Sequence, residues 1–126
     1  MFTQPSVLLI DDDRDIVHAT SLRLRALGFR TDMAHDGREG LQKARTLLPQ
    51  AILLDVRMPD LDGLQILDQL QDDPKTRDIP IVMLSASLVD CQAALDSGAS
   101  YFINKPYAWS QLLAALETVL QKQQYV

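Results

Sequence analysis

The chain has little of the chemistry that builds disulfide frameworks or thiolate metal sites. Of its 126 residues, one is cysteine, Cys91, and two are histidine, His18 and His35. A lone cysteine excludes a disulfide bond within the chain and fits a reducing compartment. Because the two histidines lack the paired spacing of metal ligands, we interpret them as ordinary residues.

Long hydrophobic runs are also missing. The apolar run at residues 7–10 is far shorter than the ~18 residues that a membrane-spanning helix needs. Residues 1–5 contain no basic side chain and open no long apolar stretch, so they do not resemble a secretory signal. We therefore expect a soluble cytoplasmic protein with no membrane partner.

Positive charge and glutamate are both scarce. Twelve basic against seventeen acidic side chains leave a net charge of −5 and a pI of about 4.8, which counts against a nucleic-acid-binding face. Only Glu39 and Glu117 are glutamates, so nearly all the acids are aspartates. Aspartate favours turns, helix N-caps and metal sites over helix interiors. We therefore expect the negative charge at loops rather than on helix surfaces.

Short apolar runs alternate with longer amphipathic segments along the chain. With 47% hydrophobic and 23% charged residues, the composition is typical of one globular domain, here spanning residues 1–126. The pattern predicts strands at 6–10, 29–34, 51–54, 80–84 and 101–104, and helices at 14–27, 36–48, 63–71, 90–96 and 109–121. Strands that are apolar on both faces favour a parallel sheet covered by helices on both sides. We predict an α/β fold with a doubly wound five-stranded parallel sheet in the order 2-1-3-4-5.

Chemically active side chains stand where four of these strands end. Asp11 and Asp12 follow the first strand, Asp55 the third, Ser85 the fourth and Lys105 the fifth. In the predicted order these strands are adjacent, so the groups converge on one shallow site at the carboxyl edge of the sheet. Close carboxylates with no thiol or imidazole favour Mg²⁺ over Zn²⁺. The set suits phosphoryl transfer to a carboxylate nucleophile, with an ammonium and a hydroxyl group to hold the remaining oxygens.

Four motifs at these strand ends carry a family resemblance. They read LLIDDD at residues 8–13, LLDVRMPDLDG at 53–63, MLSA at 83–86 and NKP at 104–106. In this order and at this spacing they resemble the CheY-like receiver domain of two-component response regulators, over residues 7 to about 120. The resemblance implies a flavodoxin-like (βα)5 fold and a phosphoacceptor role in a two-component or phosphorelay system.

The resemblance implies an acceptor and a metal site at matching positions. Asp55 corresponds to the aspartate that is phosphorylated in the family. Asp11 and Asp12 match the acidic pair that binds Mg²⁺, with Mn²⁺ as an alternative. Asp55 and the backbone carbonyl of Arg57 complete the expected protein ligands.

The resemblance also implies a switch. Ser85 stands where the family has a Thr or Ser that hydrogen-bonds the phosphoryl group, and Lys105 matches the Lys that contacts it. The bond between Lys105 and Pro106 corresponds to a cis peptide bond in the family. Phe102 occupies the position of the switch aromatic, although it lacks the hydroxyl group of the Tyr often found there.

Two features depart from or vary within the family pattern. Arg57 and Ser87, each two residues beyond a site residue, occupy positions that vary and tune dephosphorylation, so the lifetime of the phosphoryl group stays open. The segment from Ser85 to Lys105 is a couple of residues shorter than is usual in the family, and it includes part of the usual output face.

Other aspartates are expected to act as structural residues. Asp13 and Asp15 are predicted to cap the first helix and to interact with its dipole. Asp60 and Asp62 are predicted to form the turn before the third helix rather than to bind metal. Trp109, at the start of the last helix, is expected to be partly exposed, either packing locally or contacting a partner.

We therefore expect a phosphoacceptor that is not an enzyme on external substrates and that catalyses only its own phosphorylation and dephosphorylation. Its expected partners are a sensor histidine kinase or a histidine phosphotransfer protein and a downstream protein target, with no direct nucleic-acid contact. Three alternatives are a receiver fragment of a hybrid kinase or multidomain regulator, a degenerate receiver that signals without phosphate, and an aspartyl-phosphate phosphatase. The last would need a second acid where Arg57 stands.

Overall fold

The computed structural model describes residues 4–124 as five strands that alternate with five helices. The strands are β1 (Ser6–Ile10), β2 (Arg30–Ala34), β3 (Ala51–Asp55), β4 (Ile81–Ser85) and β5 (Tyr101–Asn104). The helices are α1 (Arg14–Ala26), α2 (Gly37–Leu47), α3 (Gly63–Asp72), α4 (Leu88–Asp96) and α5 (Trp109–Gln124). The predicted elements are all present; half of their bounds are unchanged, and the others shift by one to three residues. No helix in the described range is long and apolar enough to cross a membrane.

All five strands form one parallel sheet in the order β2-β1-β3-β4-β5. This confirms the predicted α/β class and strand order. The chain reverses its direction of travel across the sheet between β1 and β3. Parallel sheets of this kind place their ligand sites outside the carboxyl ends of the strands at that reversal. The ends of β1 and β3 are therefore where the site is expected.

The sheet separates two hydrophobic layers. Along β1, Leu8 and Ile10 pack in one layer, whereas Val7 and Leu9 pack in the other, because successive strand residues face opposite sides. The first layer includes the inner faces of α2 and α3, and the second includes those of α1 and α5. β3 and β4 are buried along their whole length. The two central strands therefore form a rigid base for the groups at their carboxyl ends.

Aspartate side chains cap three of the helices. Asp13 accepts a hydrogen bond from the backbone N–H of Ile16 at the start of α1, and Asp36 does the same for Glu39 at the start of α2. Asp62 accepts from the backbone N–H of Gln65, whose side chain accepts from the backbone N–H of Asp62 in return. An N-cap of this kind stabilises a helix by about 1 kcal/mol. Part of the aspartate excess therefore serves the helix starts.

Asp60 caps a helix that is distant from it in sequence. Its carboxylate accepts hydrogen bonds from the backbone N–H groups of Gly37, at 3.0 Å, and Arg38, at 3.3 Å. The bond from Gly37 holds the pKa of Asp60 below its usual value. Asp60 therefore links the loop between β3 and α3 to the start of α2. The sequence predicts only a role in the local turn for Asp60 and does not indicate this contact.

Helix α4 begins two residues earlier than predicted. Ser87 is its extended N-cap residue, and the helix runs from Leu88 to Asp96. The side chains of Leu88 and Val89 are largely exposed, so the first turn lacks the apolar periodicity by which a helix start is recognised. Asp90 therefore lies inside the first turn of α4 and not at its beginning.

Gly63 lets the chain pass close to the end of β3. A Cβ atom at this position would lie 2.6 Å from the carbonyl oxygen of Asp55 and 2.7 Å from Cα of Val56. The backbone N–H of Gly63 donates a 2.7 Å hydrogen bond to the carbonyl of Val56. The start of α3 is thus held directly against the segment that carries Asp55.

Candidate functional site

Three carboxylates meet at the carboxyl edge of the sheet. Asp11 and Asp12 directly follow β1, and Asp55 is the last residue of β3. One carboxylate oxygen from each of the three lies within 4.8 Å of the others. Asp11 and Asp55 are only 8% and 6% exposed, whereas Asp12 is exposed. The predicted convergence of these three residues is thus present in the structure.

Lys105 brings a positive charge to the cluster. Its Nζ atom donates a 2.9 Å hydrogen bond to Oδ1 of Asp55. The backbone N–H of Lys105 donates to the carbonyl of Ser85, which holds the end of β5 beside β4. The Lys105–Pro106 peptide bond is cis. The ammonium group therefore comes from a residue whose backbone is hydrogen-bonded to the end of β4.

Burial and mutual repulsion shift the titration of these groups. Burial is the main reason that the pKa of Asp11 rises to about 6, and the charge of Asp55 adds to the rise. Burial also raises the pKa of Asp55, against the opposing effect of its bond to Lys105. Burial by itself lowers the pKa of Lys105, but the nearby carboxylates outweigh it and leave the value above normal. The acidic cluster is therefore only partly neutralised by protein groups.

The donor set fits Mg²⁺. All three side chains offer carboxylate oxygens, the ligands that this hard cation prefers. One oxygen of Asp11 accepts a hydrogen bond from the backbone N–H of Asp13, and one oxygen of Asp55 is bonded to Lys105. Burial raises the pKa of Asp11 and of Asp55, so the ionised form of each carboxylate would be favoured by additional positive charge. A divalent cation would supply that charge.

Ser85 and Phe102 lie on the same face of the sheet. Phe102 is paired with Met83, two residues before Ser85, and it packs against the layer that contains Met83. Asp55 is paired with Leu84, so its side chain emerges on the opposite face from that of Ser85. Ser85 is 1% exposed, and Phe102 is half-buried. The structure thus places both predicted switch residues beside α4.

The Ser85 hydroxyl group is bonded to a residue that sequence reasoning did not assign. Its Oγ atom lies 2.7 Å from Oδ2 of Asp90 and accepts a hydrogen bond from the backbone N–H of Ser87. Arg57 makes two further bonds to the same carboxylate, at 3.1 Å and 3.0 Å. Of the two predicted rate-tuning residues, Arg57 therefore contacts α4 through its side chain, and Ser87 contacts Ser85 through its backbone.

Tyr107 is a second residue near the site that sequence reasoning missed. It is half-buried, and with Asp11, Ile16 and Thr20 it lines a small groove beside the carboxylates. Burial is the main cause of its raised pKa. Its position two residues after Lys105 is the only sequence signal that could have indicated it.

Trp109 is half-buried, as expected. The guanidinium group of Arg23 in α1 lies 4.3 Å from the centroid of its ring, a cation–π contact. Trp109 thus joins the start of α5 to α1.

The fold and the strand-end site together define a CheY-like α/β protein. The family model for the response regulator receiver domain matches residues 7–117, and the chain belongs to this family. A CheY-like receiver domain protein from Methanospirillum hungatei superposes with a TM-score of 0.90 at 26% identity, covering 97% of this chain and 98% of that one. The chemotaxis response regulator CheY4 of Vibrio cholerae gives 0.87 at 31% identity, covering 94% of this chain and 100% of that one.

A longer relative is also similar. The transcriptional regulatory protein PrrA of Mycobacterium bovis is 37% identical over 122 residues, which are 95% of this chain and 52% of PrrA. The chain spans about half the length of the curated relatives it matches. The relationship supports a two-component response regulator.

Proposed function

We propose that the chain is a phosphoacceptor receiver in which Asp55 accepts a phosphoryl group from a histidine kinase, a histidine phosphotransfer protein or a small acyl phosphate. The observation that carries this proposal is the place of Asp55. Its buried carboxylate stands beside Asp11 and Asp12 and is bonded to Lys105. A nucleophile in this setting can accept charge that its neighbours neutralise.

The transfer needs an ionised Asp55. A carboxylate oxygen of Asp55 attacks phosphorus, the bond from phosphorus to the donor nitrogen or oxygen breaks, and the leaving group keeps that electron pair. Burial disfavours the ionised acid, and the bond to Lys105 counteracts this effect. The product is an acyl phosphate that carries a charge of about −2, which is about one unit more negative than the ionised carboxylate that it replaces. Lys105 is then placed to bind an oxygen of the phosphoryl group.

Asp11, Asp12, Asp55 and the backbone carbonyl of Arg57 would hold Mg²⁺ or, alternatively, Mn²⁺. When bound, the cation would supply positive charge to the phosphoryl oxygens. In its absence, repulsion among the carboxylates opposes the approach of an anionic donor. The raised pKa of Asp11 supports this assignment, because burial and the nearby charge of Asp55 both disfavour the ionised carboxylate, and a bound cation would offset them.

Ser85 and Phe102 would transmit the new charge to a partner surface. Movement of the Ser85 hydroxyl group toward the phosphoryl group would shift β4 and β5 and change the packing of Phe102 beside α4. Arg57 and Ser87 would tune the lifetime of the phosphoryl group. The surface formed by α4, β5 and α5 then presents two states to a downstream protein.

The expected partners are proteins in the cytoplasm. A net charge of −5 disfavours direct binding of the chain itself to nucleic acid. PrrA is by its name a transcriptional regulator. If this chain is part of a longer regulator, a separate segment of that protein would contact DNA, and the receiver would control it through protein contacts.

Intact mass spectrometry tests the proposal. The native chain and Asp55→Asn are incubated with acetyl phosphate in the presence of Mg²⁺ and, separately, of a chelator. We expect a phosphate-sized mass gain only for the native chain with Mg²⁺. The absence of a gain, or an equal gain on both chains, contradicts the proposal. Turnover of free phosphoesters would instead favour a phosphatase.

A further inference from the structure

The direction of the Ser85 hydroxyl proton is fixed by its two partners. A backbone N–H can only donate, so Ser85 Oγ accepts from Ser87 at 3.1 Å. The carboxylate of Asp90 can only accept while it is ionised, so Ser85 donates its single proton to Oδ2 of Asp90 at 2.7 Å. The hydroxyl group is therefore committed to α4.

Arg57 pairs with the carboxylate of Asp90 in a buried position. Asp90 is only 4% exposed, and a buried charge is strongly unfavourable without a partner. The Nε atom of Arg57 donates to Oδ2 at 3.1 Å and its Nη2 atom donates to Oδ1 at 3.0 Å, which is the paired geometry of a strong charge-assisted contact. The Arg57 side chain is 70% exposed, so water also solvates the cation.

Ser85 has one proton, and both Asp90 and a phosphoryl group on Asp55 are acceptors. The hydroxyl group therefore cannot donate to both at once. A bond from Ser85 to the phosphoryl group requires the bond to Asp90 to break, while Arg57 continues to satisfy the abandoned carboxylate. The two acceptors compete for one donor.

We propose that Asp90, held by Arg57, is a positioning residue that retains the Ser85 hydroxyl group on α4 and so opposes its bond to a phosphoryl group on Asp55. The inference rests on the proposed phosphorylation of Asp55 and adds a residue that regulates it. The strength of the Ser85–Asp90 hydrogen bond sets the free energy that the phosphoryl group must supply to attract the Ser85 hydroxyl group away from α4. Asp90 lies in the first turn of α4, which is part of the proposed partner surface. Loss of its bond to Ser85 would therefore also affect that surface.

The anion BeF3⁻, which mimics a phosphoryl group on a carboxylate, measures this competition without a chemical step. Its affinity for the full chain with saturating Mg²⁺ is read from the bound ¹⁹F signal in NMR spectra. Asp90→Ala removes the competing acceptor, and the freed Arg57 can be solvated. A hydrogen bond to a charged group of this type is worth about a factor of ten, so we expect BeF3⁻ to bind about tenfold more tightly.

A double-mutant cycle with Ser85→Ala distinguishes positioning from a general structural effect. If Asp90 acts through Ser85, Asp90→Ala should change BeF3⁻ affinity by less than about twofold once Ser85 is absent. Asp96→Ala is the matched control, because it removes an exposed carboxylate from the other end of α4. Urea unfolding verifies that each variant is folded, and Asp90→Leu, which also lacks an acceptor atom, replaces Asp90→Ala if the latter is not.

Two outcomes overturn the inference. One is unchanged affinity in the folded Asp90 variant, and the other is an equal increase with and without the Ser85 hydroxyl group. Both leave the proposed function intact if the native chain still binds BeF3⁻ and gains phosphate on Asp55. Failure of the native chain in both of those measurements contradicts the proposed function itself.

Discussion

Lys105 donates a 2.9 Å hydrogen bond to Asp55 from the far side of β4, across fifty residues of sequence. The pair is the contact through which β5 reaches the acidic cluster. Because Lys105 is the cation at that contact, the ionised state of Asp55 depends on it. The pair therefore couples the charge of the acceptor to the position of β5.

Lys105→Ala should slow phosphorylation of Asp55 without unfolding the chain. Loss of the ammonium group raises the pKa of Asp55 further and removes a donor to the phosphoryl oxygens. Removing one such electrostatic group typically lowers a rate by at least about tenfold. The initial rate of mass gain with acetyl phosphate and Mg²⁺ measures this effect. Lys75→Ala, at an exposed position, is the matched control and should retain the native rate.

When a chelator removes divalent cations, the contribution of Asp11 to the free energy of unfolding should become more favourable as the pH falls. The pKa of Asp11 is about 6 in the folded chain and 3.8 as an unperturbed group, so the folded state binds more protons between these values. Acidification from pH 7.5 to pH 5 should therefore stabilise the native chain relative to Asp11→Asn by on the order of 1–2 kcal/mol. The lowered pKa of Asp60 has the opposite sign, but it acts below about pH 4.

Urea unfolding in chelator at the two pH values measures this difference. The variant is the reference, because its amide does not titrate. The loss of the Asp11 charge also lowers the pKa of Lys105 and Tyr107, which titrate well above this pH range. An equal pH response of the two chains would show that Asp11 titrates normally and would remove the electrostatic support for the metal site.

Mg²⁺ should bind with an affinity that falls below about pH 6. The cation competes with the proton on Asp11, so each pH unit below the pKa costs up to about tenfold in apparent affinity. Isothermal titration calorimetry in buffers of different ionisation enthalpy measures both the affinity and the proton release. Binding without pH dependence between pH 5 and pH 7.5 would place the ion away from Asp11.

The fold and the strand-end cluster could be predicted because their signals are local. Apolar runs marked the strands, and the parallel order brought Asp11 and Asp55 to one edge of the sheet. Because neighbouring strands of a parallel sheet run in the same direction, their carboxyl ends lie at the same edge, and the structure confirms the predicted strand order. The capping role predicted for Asp13 is likewise local, since its partner Ile16 is three residues away.

The contacts that were missed join distant segments through single hydrogen bonds. Arg57 and Asp90 are 33 residues apart, and Asp60 and Gly37 are 23 apart. In the sequence, Asp90 follows two apolar residues and resembles an ordinary acidic residue of a first helical turn. In the structure those two residues are exposed, whereas Asp90 is buried. Only the register of β3 beside β4 brings Arg57 over the first turn of α4. No propensity or spacing rule encodes that register for a single chain.

Asp60→Ala should destabilise the chain and leave phosphorylation largely unchanged. The substitution removes the acceptor for two backbone N–H groups at the start of α2, and loss of a helix cap costs about 1 kcal/mol. Urea unfolding measures the change, with Asp78→Ala as an exposed control of equal charge. A phosphorylation rate that falls in parallel with stability would instead indicate that Asp60 supports the site directly.

Gly63→Ala should lower both the free energy of unfolding and the rate of phosphorylation, because the Cβ atom of alanine would clash with the end of β3. The new methyl group would lie 2.6 Å from the carbonyl oxygen of Asp55 and 2.7 Å from Cα of Val56. Both neighbours are backbone atoms at the end of a buried strand, so relief requires a shift of α3 or of the segment that carries Asp55. Overpacking of this kind typically costs about 1–3 kcal/mol.

The comparison of Gly63→Ala with Asp60→Ala separates these two effects. At urea concentrations where both variants remain folded, we expect the Gly63 variant to gain phosphate more slowly than the Asp60 variant of similar stability. The reason is that only the first substitution places an atom against the backbone of Asp55. Equal rates at matched stability would show that α3 moves instead, and that the end of β3 holds its position without the close approach at Gly63.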